Sequence, residues 1–140
     1  FHPGGNIGQT LMLVKDIMVT GKKLPTINLN KNIYEAIKVI NLKKLGIVVI
    51  TKNKLVKGIL TDGDARRGIK YFSKNEKISK FMTLNPLFIS ENSPASKALS
   101  MMNEKKITSL LVTKDKNMKS REKKLIGIVH IHSLLKYGIK

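Results

Sequence analysis

The 140-residue sequence contains no cysteine, which excludes disulfide scaffolds, cysteine-ligated zinc sites and thiol catalysis. Tryptophan is absent, and aromatic residues make up only 5% of the chain. The longest unbroken apolar stretch, 45–50, is far shorter than the roughly 20 residues of a membrane-spanning helix. Residues 1–5 have neither the basic start nor the apolar middle of a signal peptide. These absences predict a cytoplasmic, globular chain of the α/β type, with no membrane partner.

Acidic residues are also scarce, with 9 Asp and Glu against 27 Lys and Arg and a net charge of +18. Only Arg66, Arg67 and Arg121 are arginines, and the lysines are scattered along the whole chain without a run longer than two. Nucleic-acid-binding proteins usually cluster their cations and interleave them with aromatics. We therefore interpret the charge as a lysine bias that also attracts phosphorylated ligands, and nucleic-acid binding is the weaker alternative.

The sequence contains an internal repeat, which decides the predicted architecture. Apolar residues with the spacing of one helix face occur twice, 62 positions apart: Ile33, Ala36, Ile37 and Ile40, then Ala95, Ala98, Leu99 and Met102. The short apolar runs 47–50 and 109–112 keep this offset and resemble buried strands. Gly58 and Gly127 are 69 positions apart, so the second repeat has seven extra residues, which we place in a hairpin loop within 114–124.

The residue pattern of each repeat predicts the order strand, helix, strand, strand, helix. The first repeat has strands at 26–29, 46–51 and 55–60 and helices at 33–44 and 62–71. Asn30 or Asn32 is expected to cap the first helix of repeat one. In repeat two, Ser93 is the expected N-cap and Pro94 the first helical residue. Short matching segments, 14–18 and 78–82, precede the repeats as lead-in turns. Because neither half covers its own sheet, we expect the halves to pack about a pseudo-twofold axis.

This pattern resembles a tandem pair of CBS domains, a regulatory module that binds adenine nucleotides and related ligands. Three motifs are also similar to bacterial arabinose-5-phosphate isomerases. They are His2-Pro3-Gly4-Gly5-Asn6-Ile7-Gly8, the segment Thr61-Asp62-Gly63-Asp64-Ala65-Arg66-Arg67 and the ending His130-Ile131-His132-Ser133-Leu134-Leu135-Lys136-Tyr137-Gly138. The resemblance implies an α/β (α+β) fold with repeat one at 14–77 and repeat two at 78–140. Residues 1–13 would then be the end of a sugar isomerase (SIS) domain and a linker.

The same resemblance implies a longer parent enzyme that interconverts D-ribulose 5-phosphate and D-arabinose 5-phosphate, the entry to the Kdo sugar of lipopolysaccharide or capsule. His2 matches a histidine that the family places in its active site, but the other catalytic groups lie upstream, so this fragment is not expected to be an enzyme. The implied partners are the SIS domain, a second CBS pair in a homodimer, a homotetrameric parent, and a nucleotide or CMP-sugar as regulatory ligand. No cofactor is expected.

The predicted ligand-binding residues lie mainly where the last strand of repeat one gives way to a helix. A helix start offers free backbone N–H groups to phosphate. In CBS domains the T/S-x-x-D residues contact the nucleotide, so the resemblance assigns this role to Thr61 and Asp64. The local sequence alone assigns to Thr61 or Asp62 only the role of a helix cap. Arg66 and Arg67 place positive charge near the N-terminus of the helix, where the helix dipole disfavours it. An anionic ligand or the neighbouring aspartates would compensate this charge.

Repeat two departs from this motif, because Ser133 occupies the position that corresponds to Asp64. The spacing of His130 and His132 suggests side chains on opposite sides of a strand end. His132 is expected to face the ligand cleft, and His130 to be a helix-entry or packing residue. Cleft walls are predicted at Thr26, Ile47 and Ser109, with their neighbours in 25–27, 45–47, 87–89 and 107–109; Ile27 and Ile89 are more typical of core. No metal site is expected, since carboxylates are sparse.

Three functions remain open from the sequence. The first is a regulatory ligand-binding module of a sugar-phosphate isomerase, which the T-x-x-D motif favours. The second is a structural CBS pair that only promotes oligomerisation, through a face that would include Leu134, Leu135 and Tyr137. The third is a basic nucleic-acid-binding protein, against which the dispersed lysines argue.

Overall fold

The computed structural model describes residues 11–70, 76–114 and 123–140. Along these residues the order strand, helix, strand, strand, helix occurs twice, as the repeats predict. The first set is β1 (Thr26–Asn28), α2 (Ile33–Lys43), β2 (Ile47–Lys52), β3 (Leu55–Thr61) and α3 (Asp62–Ile69), preceded by α1 (Val14–Ile17) and a 3₁₀ turn at Gly21–Lys23. The second is β4 (Phe88–Ser90), α4 (Ala95–Lys105), β5 (Ser109–Thr113), β6 (Gly127–His130) and α5 (Ile131–Lys136), preceded by a 3₁₀ turn at Ile78–Lys80. The fold class is thus confirmed as mixed α/β.

Helix α2 begins as the sequence indicates. Asn32, not Asn30, is the N-cap, and its side chain accepts a hydrogen bond from the Glu35 N–H at 3.0 Å. The Glu35 carboxylate accepts one in return from the Asn32 N–H at 3.4 Å, which completes a capping box. The helix ends at Lys43, and Lys44 follows in the left-handed region with a φ of 61°.

Helix α4 begins one residue later than predicted, so the assignment of Ser93 as N-cap was wrong. Pro94 is the N-cap, with extended backbone and no side-chain hydrogen bond. The reason lies in the lead-in chain, because Leu13 forms an antiparallel bridge with Pro94 and the Ala95 N–H donates to the Met12 carbonyl at 2.9 Å. This pairing holds Pro94 in extended conformation, and the helix starts only beyond it.

Among the described residues, the strands form two three-stranded sheets, in the orders β1-β2-β3 and β4-β5-β6. In each sheet the first strand is parallel to the second and the second is antiparallel to the third. Consequently, the starts of the first two strands and the end of the third meet at one edge of each sheet.

Each sheet has its own apolar core. The core of the first contains Ile27, Ile33, Ala36, Ile40, Val48, Ile50, Leu60, Ala65 and Ile78. The core of the second contains Met12, Val14, Ile17, Ile89, Ala95, Ala98, Leu99, Met102, Leu110, Val112, Val129, Leu134 and Ile139. Ile27 and Ile89 are therefore core residues, as the sequence favoured.

The described chain divides into two compact units, which differ from the sequence repeats at the lead-in segments. The β1–β3 unit comprises 23–70, 76–86 and Lys123, and the β4–β6 unit comprises 11–22, 87–114 and 124–140. The lead-in before repeat one thus belongs with the strands of repeat two, through a bridge between Val19 and Ile128. The lead-in before repeat two pairs with repeat one, through Ile59 and Thr83.

The glycines at 58 and 127 permit these lead-in segments to lie against the strands. A Cβ atom on Gly58 would be 2.8 Å from both the Met82 sulfur and the Thr83 carbonyl oxygen. A Cβ atom on Gly127 would be 2.5 Å from the Met18 sulfur. The matched glycines of the repeat are therefore positions of close backbone approach. The predicted insertion falls between Thr113 and Gly127, and most of it lies outside the described residues.

Candidate functional site

The candidate site of the β1–β3 unit is the sheet edge at which β1 and β2 begin and β3 ends. Ile47 at the start of β2 pairs with Thr61 at the end of β3. The Asp62 N–H donates to the Gly46 carbonyl at 2.9 Å, which fixes the turn from β3 into α3 at this edge. Thr26 begins β1 and pairs with Val49. Hence the strand pairing brings Thr26, Ile47 and Thr61 to the same edge as the start of α3.

Thr61 is the N-cap of α3. Its half-buried side-chain oxygen accepts a hydrogen bond from the Asp64 N–H at 3.2 Å. A threonine hydroxyl has one proton to donate besides its acceptor lone pairs, so capping leaves that donor for another group. The capping role and a ligand-binding role of Thr61 are therefore compatible.

The two aspartates at the start of α3 pair with the two arginines one turn later. Arg66 Nε donates to both carboxylate oxygens of Asp62 at 3.0 Å, and Arg67 Nη2 contacts Asp64 Oδ1. The arginine side chains are 71% and 73% exposed, so these ion pairs contribute little stability. Of the two explanations that the sequence left open for the arginines, the neighbouring aspartates are the one present in the structure.

The β4–β6 unit has an equivalent edge. Ser109 at the start of β5 pairs with His130 at the end of β6, and the Ile131 N–H donates to the Thr108 carbonyl at 2.9 Å. These contacts repeat those of Ile47, Thr61 and Gly46 in the other unit. Ser109 Oγ is buried and has no hydrogen-bond partner.

His130 and His132 do not point to opposite sides, so that expectation was wrong. His130 is the N-cap of α5, and its Nδ1 accepts a hydrogen bond from the His132 N–H at 3.1 Å. The ring centroids are 4.7 Å apart in an edge-to-face arrangement. The strand alternation fails because the chain becomes helical at Ile131. His130 is therefore a helix-entry residue, as expected from the sequence, and His132 is exposed.

The pKa of His130 lies below its ordinary value of 6.5. Desolvation by burial is the larger cause, and the nearby His132 adds a repulsive contribution. The first turn of α5 contains no acidic residue to oppose these effects. His130 is accordingly neutral at pH 7.

The two edges differ in their chemistry. The first turn of α3 contains two carboxylates, whereas α5 has half-buried Ser133 at the position of Asp64.

A second buried oxygen without a hydrogen-bond partner, Oε2 of Glu91, was not singled out from the sequence. Glu91 follows the end of β4, at the opposite edge of its sheet, and a carboxylate directly after a buried strand was the available signal. His2 lies outside the described residues.

The described residues contain neither a cluster of metal ligands nor a membrane-spanning helix. Within 11–70, 76–114 and 123–140, no group of three or more His, Cys, Asp or Glu residues is arranged to hold a metal ion. In the same part of the chain, no helix has the length and apolar character required to cross a membrane.

Comparison with known sequences identifies relatives over nearly the whole chain. An uncharacterized protein of Rickettsia prowazekii (strain Madrid E) is 39% identical over 140 residues, which are 99% of this chain and 42% of the relative. Arabinose 5-phosphate isomerase KdsD of Yersinia pestis is 38% identical over 144 residues, covering 99% of this chain and 41% of the relative. The chain thus spans about two fifths of these relatives, and the predicted resemblance to arabinose-5-phosphate isomerases is confirmed.

Solved structures share the fold. The CBS domain pair of protein MJ0100 in complex with 5′-methylthioadenosine and S-adenosyl-L-methionine has a TM-score of 0.75 at 24% identity, covering 90% of this chain and 94% of that one. CBSX2 in complex with AMP has a TM-score of 0.72 at 20% identity, covering 89% and 93%. The family model described as CBS domain matches residues 14–71 and again 78–140. The chain therefore belongs to the CBS domain family and contains two such domains in tandem.

Proposed function

We propose that this chain is a regulatory module that binds a nucleotide at the sheet edge of the β1–β3 unit. The observation that carries the proposal is the Thr61–Asp64 pair at the start of α3, beside the beginnings of β1 and β2. Solved CBS structures with related folds contain AMP or S-adenosyl-L-methionine, which supports the same class of ligand here.

Each residue of this edge has a distinct role in the proposal. The backbone N–H groups at the start of α3 and the Thr61 hydroxyl donate to phosphate oxygens. The Asp64 carboxylate accepts hydrogen bonds from ribose hydroxyls after exchanging its contact with Arg67. Arg66 and Arg67 then face the phosphates, whose negative charge suits their planar guanidinium groups. Thr26 and Ile47 flank the base.

The net charge of +18 supports an anionic ligand of this kind, because a strongly cationic chain raises the local concentration of phosphorylated molecules. The second edge lacks the carboxylate that would hold a ribose, so we place the principal site in repeat one. Ser109 and His132 belong to the weaker site of repeat two.

The parent protein in this proposal is an arabinose-5-phosphate isomerase of Kdo synthesis, in the cytoplasm. Residues 1–13 are the end of its SIS domain with His2 in the active site, and 14–77 and 78–140 are the CBS repeats. The similarity to the isomerase of Yersinia pestis supports this assignment. A CMP-sugar, as the activated product, is then a candidate inhibitor, whose unequal affinity for two states of the enzyme would transmit the regulation.

The experiment is a thermal-shift screen of this chain against nucleotides, sugar phosphates and CMP-sugars, followed by calorimetric titration of the best ligand. Asp64→Ala is expected to weaken binding about 5- to 150-fold, because a hydrogen bond to a charged group contributes roughly 1–3 kcal/mol. Ser133→Ala is the matched control and is expected to change affinity much less. Unchanged affinity in Asp64→Ala would contradict the proposed role of the carboxylate. Equal losses of affinity in both variants would show that the proposal assigns the site to the wrong repeat.

The isomerase assignment has a separate test. The present chain is expected to show no turnover of D-arabinose 5-phosphate, whereas the parent with its upstream domain is expected to be active. Turnover by the rigorously purified chain would contradict the assignment of catalysis to the upstream domain.

A purely structural CBS pair is the second candidate, and two observations favour it. Thr61 and Asp64 already have partners within α3, and Leu135 is 57% exposed at the end of the chain. Leu134 does not belong to the association face that the sequence suggested, because it is fully buried. Sedimentation of wild type and Leu135→Asp tests this face, and self-association of wild type without a thermal shift from any ligand of the screen would favour the structural pair.

A further inference from the structure

The junction of β6 and α5 has a feature that its counterpart in repeat one lacks. Both helices begin with a side chain that accepts a hydrogen bond from a backbone N–H of the first turn. In α3 the acceptor is the hydroxyl oxygen of Thr61, whereas in α5 it is the imidazole Nδ1 of His130. A hydroxyl oxygen accepts at any physiological pH, but an imidazole nitrogen accepts only while it carries no proton.

We infer that His130 is a proton-sensitive cap of α5, which holds the β6–α5 junction at neutral pH and releases it in acid. Accepting through Nδ1 fixes the neutral tautomer with its proton on Nε2. Protonation converts Nδ1 into a donor, which removes the capping bond to His132. It also places a positive charge at a helix N-terminus, where the dipole disfavours it.

The surroundings of His130 reinforce this response. Opposite it on β5 lies Ser109, whose hydroxyl does not titrate in this range. On α5 itself the titratable neighbour is His132, whose ring lies in edge-to-face contact with that of His130. Helix α4 packs on α5 through its apolar side, and its charged residues, Lys97, Glu104 and Lys105, are exposed. Of these groups only Glu104 is acidic, and the causes of the lowered pKa of His130 are burial and His132, so no carboxylate compensates the imidazolium.

The direction of the pH effect follows from burial. Because desolvation holds the pKa of folded His130 below 6.5, the unfolded chain takes up the proton first as the pH falls. The stability contributed by neutral His130 is complete above pH 6.5 and is lost as the pH falls through the folded-state pKa. Helix α5 and the residues after it bury Leu134 and Ile139 in the core. Loss of the cap weakens the packing of these two side chains.

The test compares wild type with His130→Thr, which copies the cap of repeat one, and with His132→Gln, which keeps the backbone donor. Between pH 7.5 and 5.0, the folding equilibrium constant of wild type is expected to fall further than that of His130→Thr. The difference is at most about 30-fold, the limit for one histidine with an unfolded pKa of about 6.5. His132→Gln is expected to retain most of the wild-type pH dependence, since burial is the larger cause.

Imidazole ¹⁵N shifts and amide exchange of the wild-type protein provide a readout that needs no variant. At pH 7.5, Nδ1 of His130 is expected to be unprotonated and Nε2 protonated, and the protection factor of the His132 amide is expected to drop at pH 5.0. Protonated Nδ1 at pH 7.5, equal protection at both pH values, or the same pH dependence of stability in His130→Thr as in wild type would each overturn the inference.

Discussion

The two close-approach glycines lead to a prediction about stability that depends on which atom stands in the way. Replacing Gly58 by alanine would place a methyl group 2.8 Å from the Thr83 carbonyl oxygen, and that oxygen accepts the Ile59 N–H at 3.0 Å. A backbone atom inside a hydrogen-bonded bridge cannot move without breaking the bridge. At Gly127 the nearest atom is the sulfur of Met18, at the flexible end of a side chain, and the Val19 carbonyl oxygen is 3.1 Å away.

The magnitudes follow from this difference. Overpacking of a closely packed site costs about 1–3 kcal/mol, and the loss of glycine's freedom in the unfolded chain returns about 0.4–1 kcal/mol. We therefore expect Gly58→Ala to destabilise by about 2 kcal/mol and Gly127→Ala by at most about 1 kcal/mol. Gly63→Ala is the control, because its methyl group would meet only the Arg67 guanidinium at 3.4 Å in α3. It is expected to be neutral or stabilising.

Urea denaturation with linear extrapolation measures these differences in unfolding free energy. Replacing the neighbouring methionine by alanine separates a clash with a flexible side chain from a clash with a backbone oxygen. Adding Met18→Ala to Gly127→Ala should yield a double variant more stable than the sum of the single effects predicts, whereas Met82→Ala should not relieve Gly58→Ala, because the Thr83 oxygen remains. The reasoning is refuted if Gly127→Ala is the more destabilising of the two, or if Gly58→Ala is as harmless as Gly63→Ala.

The remaining predictions concern helix ends and the core, and urea denaturation checks each of them. Lys44→Gly and Lys106→Gly should each stabilise by about 0.5–1 kcal/mol, because both residues have positive φ, whereas Lys38→Gly at an exposed position in the middle of α2 should destabilise by about 1 kcal/mol. Asn32→Ala should cost about 1 kcal/mol through loss of the capping box, and a change below about 0.3 kcal/mol would contradict that role. Leu134→Ala should cost about 2–5 kcal/mol, because the side chain is fully buried, while Leu135→Ala on the exposed side of the same helix should stay within about 0.5 kcal/mol. Similar losses for the two leucines would show that α5 is rotated from its described orientation.

Much of the site could be predicted from local sequence. Thr61 and Asp64 lie at a helix start because a buried strand with alternating apolar residues ends beside a residue that caps well. The ion pairs of Arg66 and Arg67 are also local, since both join residues three or four apart on one helix. His130 shows the limit, because the helix begins at Ile131 and strand alternation therefore does not extend to His132, so alternation does not predict the contact between the two rings.

The sequence by itself determined the repeated order of elements, because helix and strand periods, capping residues and turn glycines act over a few neighbouring positions. Tertiary structure decided where the lead-in segments belong. Val19 pairs with Ile128 and Thr83 with Ile59, across more than one hundred positions in the first case and about twenty in the second. Partner choice over such distances depends on which buried edge offers free N–H and carbonyl groups, and nothing within either segment encodes that edge. A third pairing, between Leu13 and Pro94, set the start of α4 at Ala95, where local signals alone indicated Pro94.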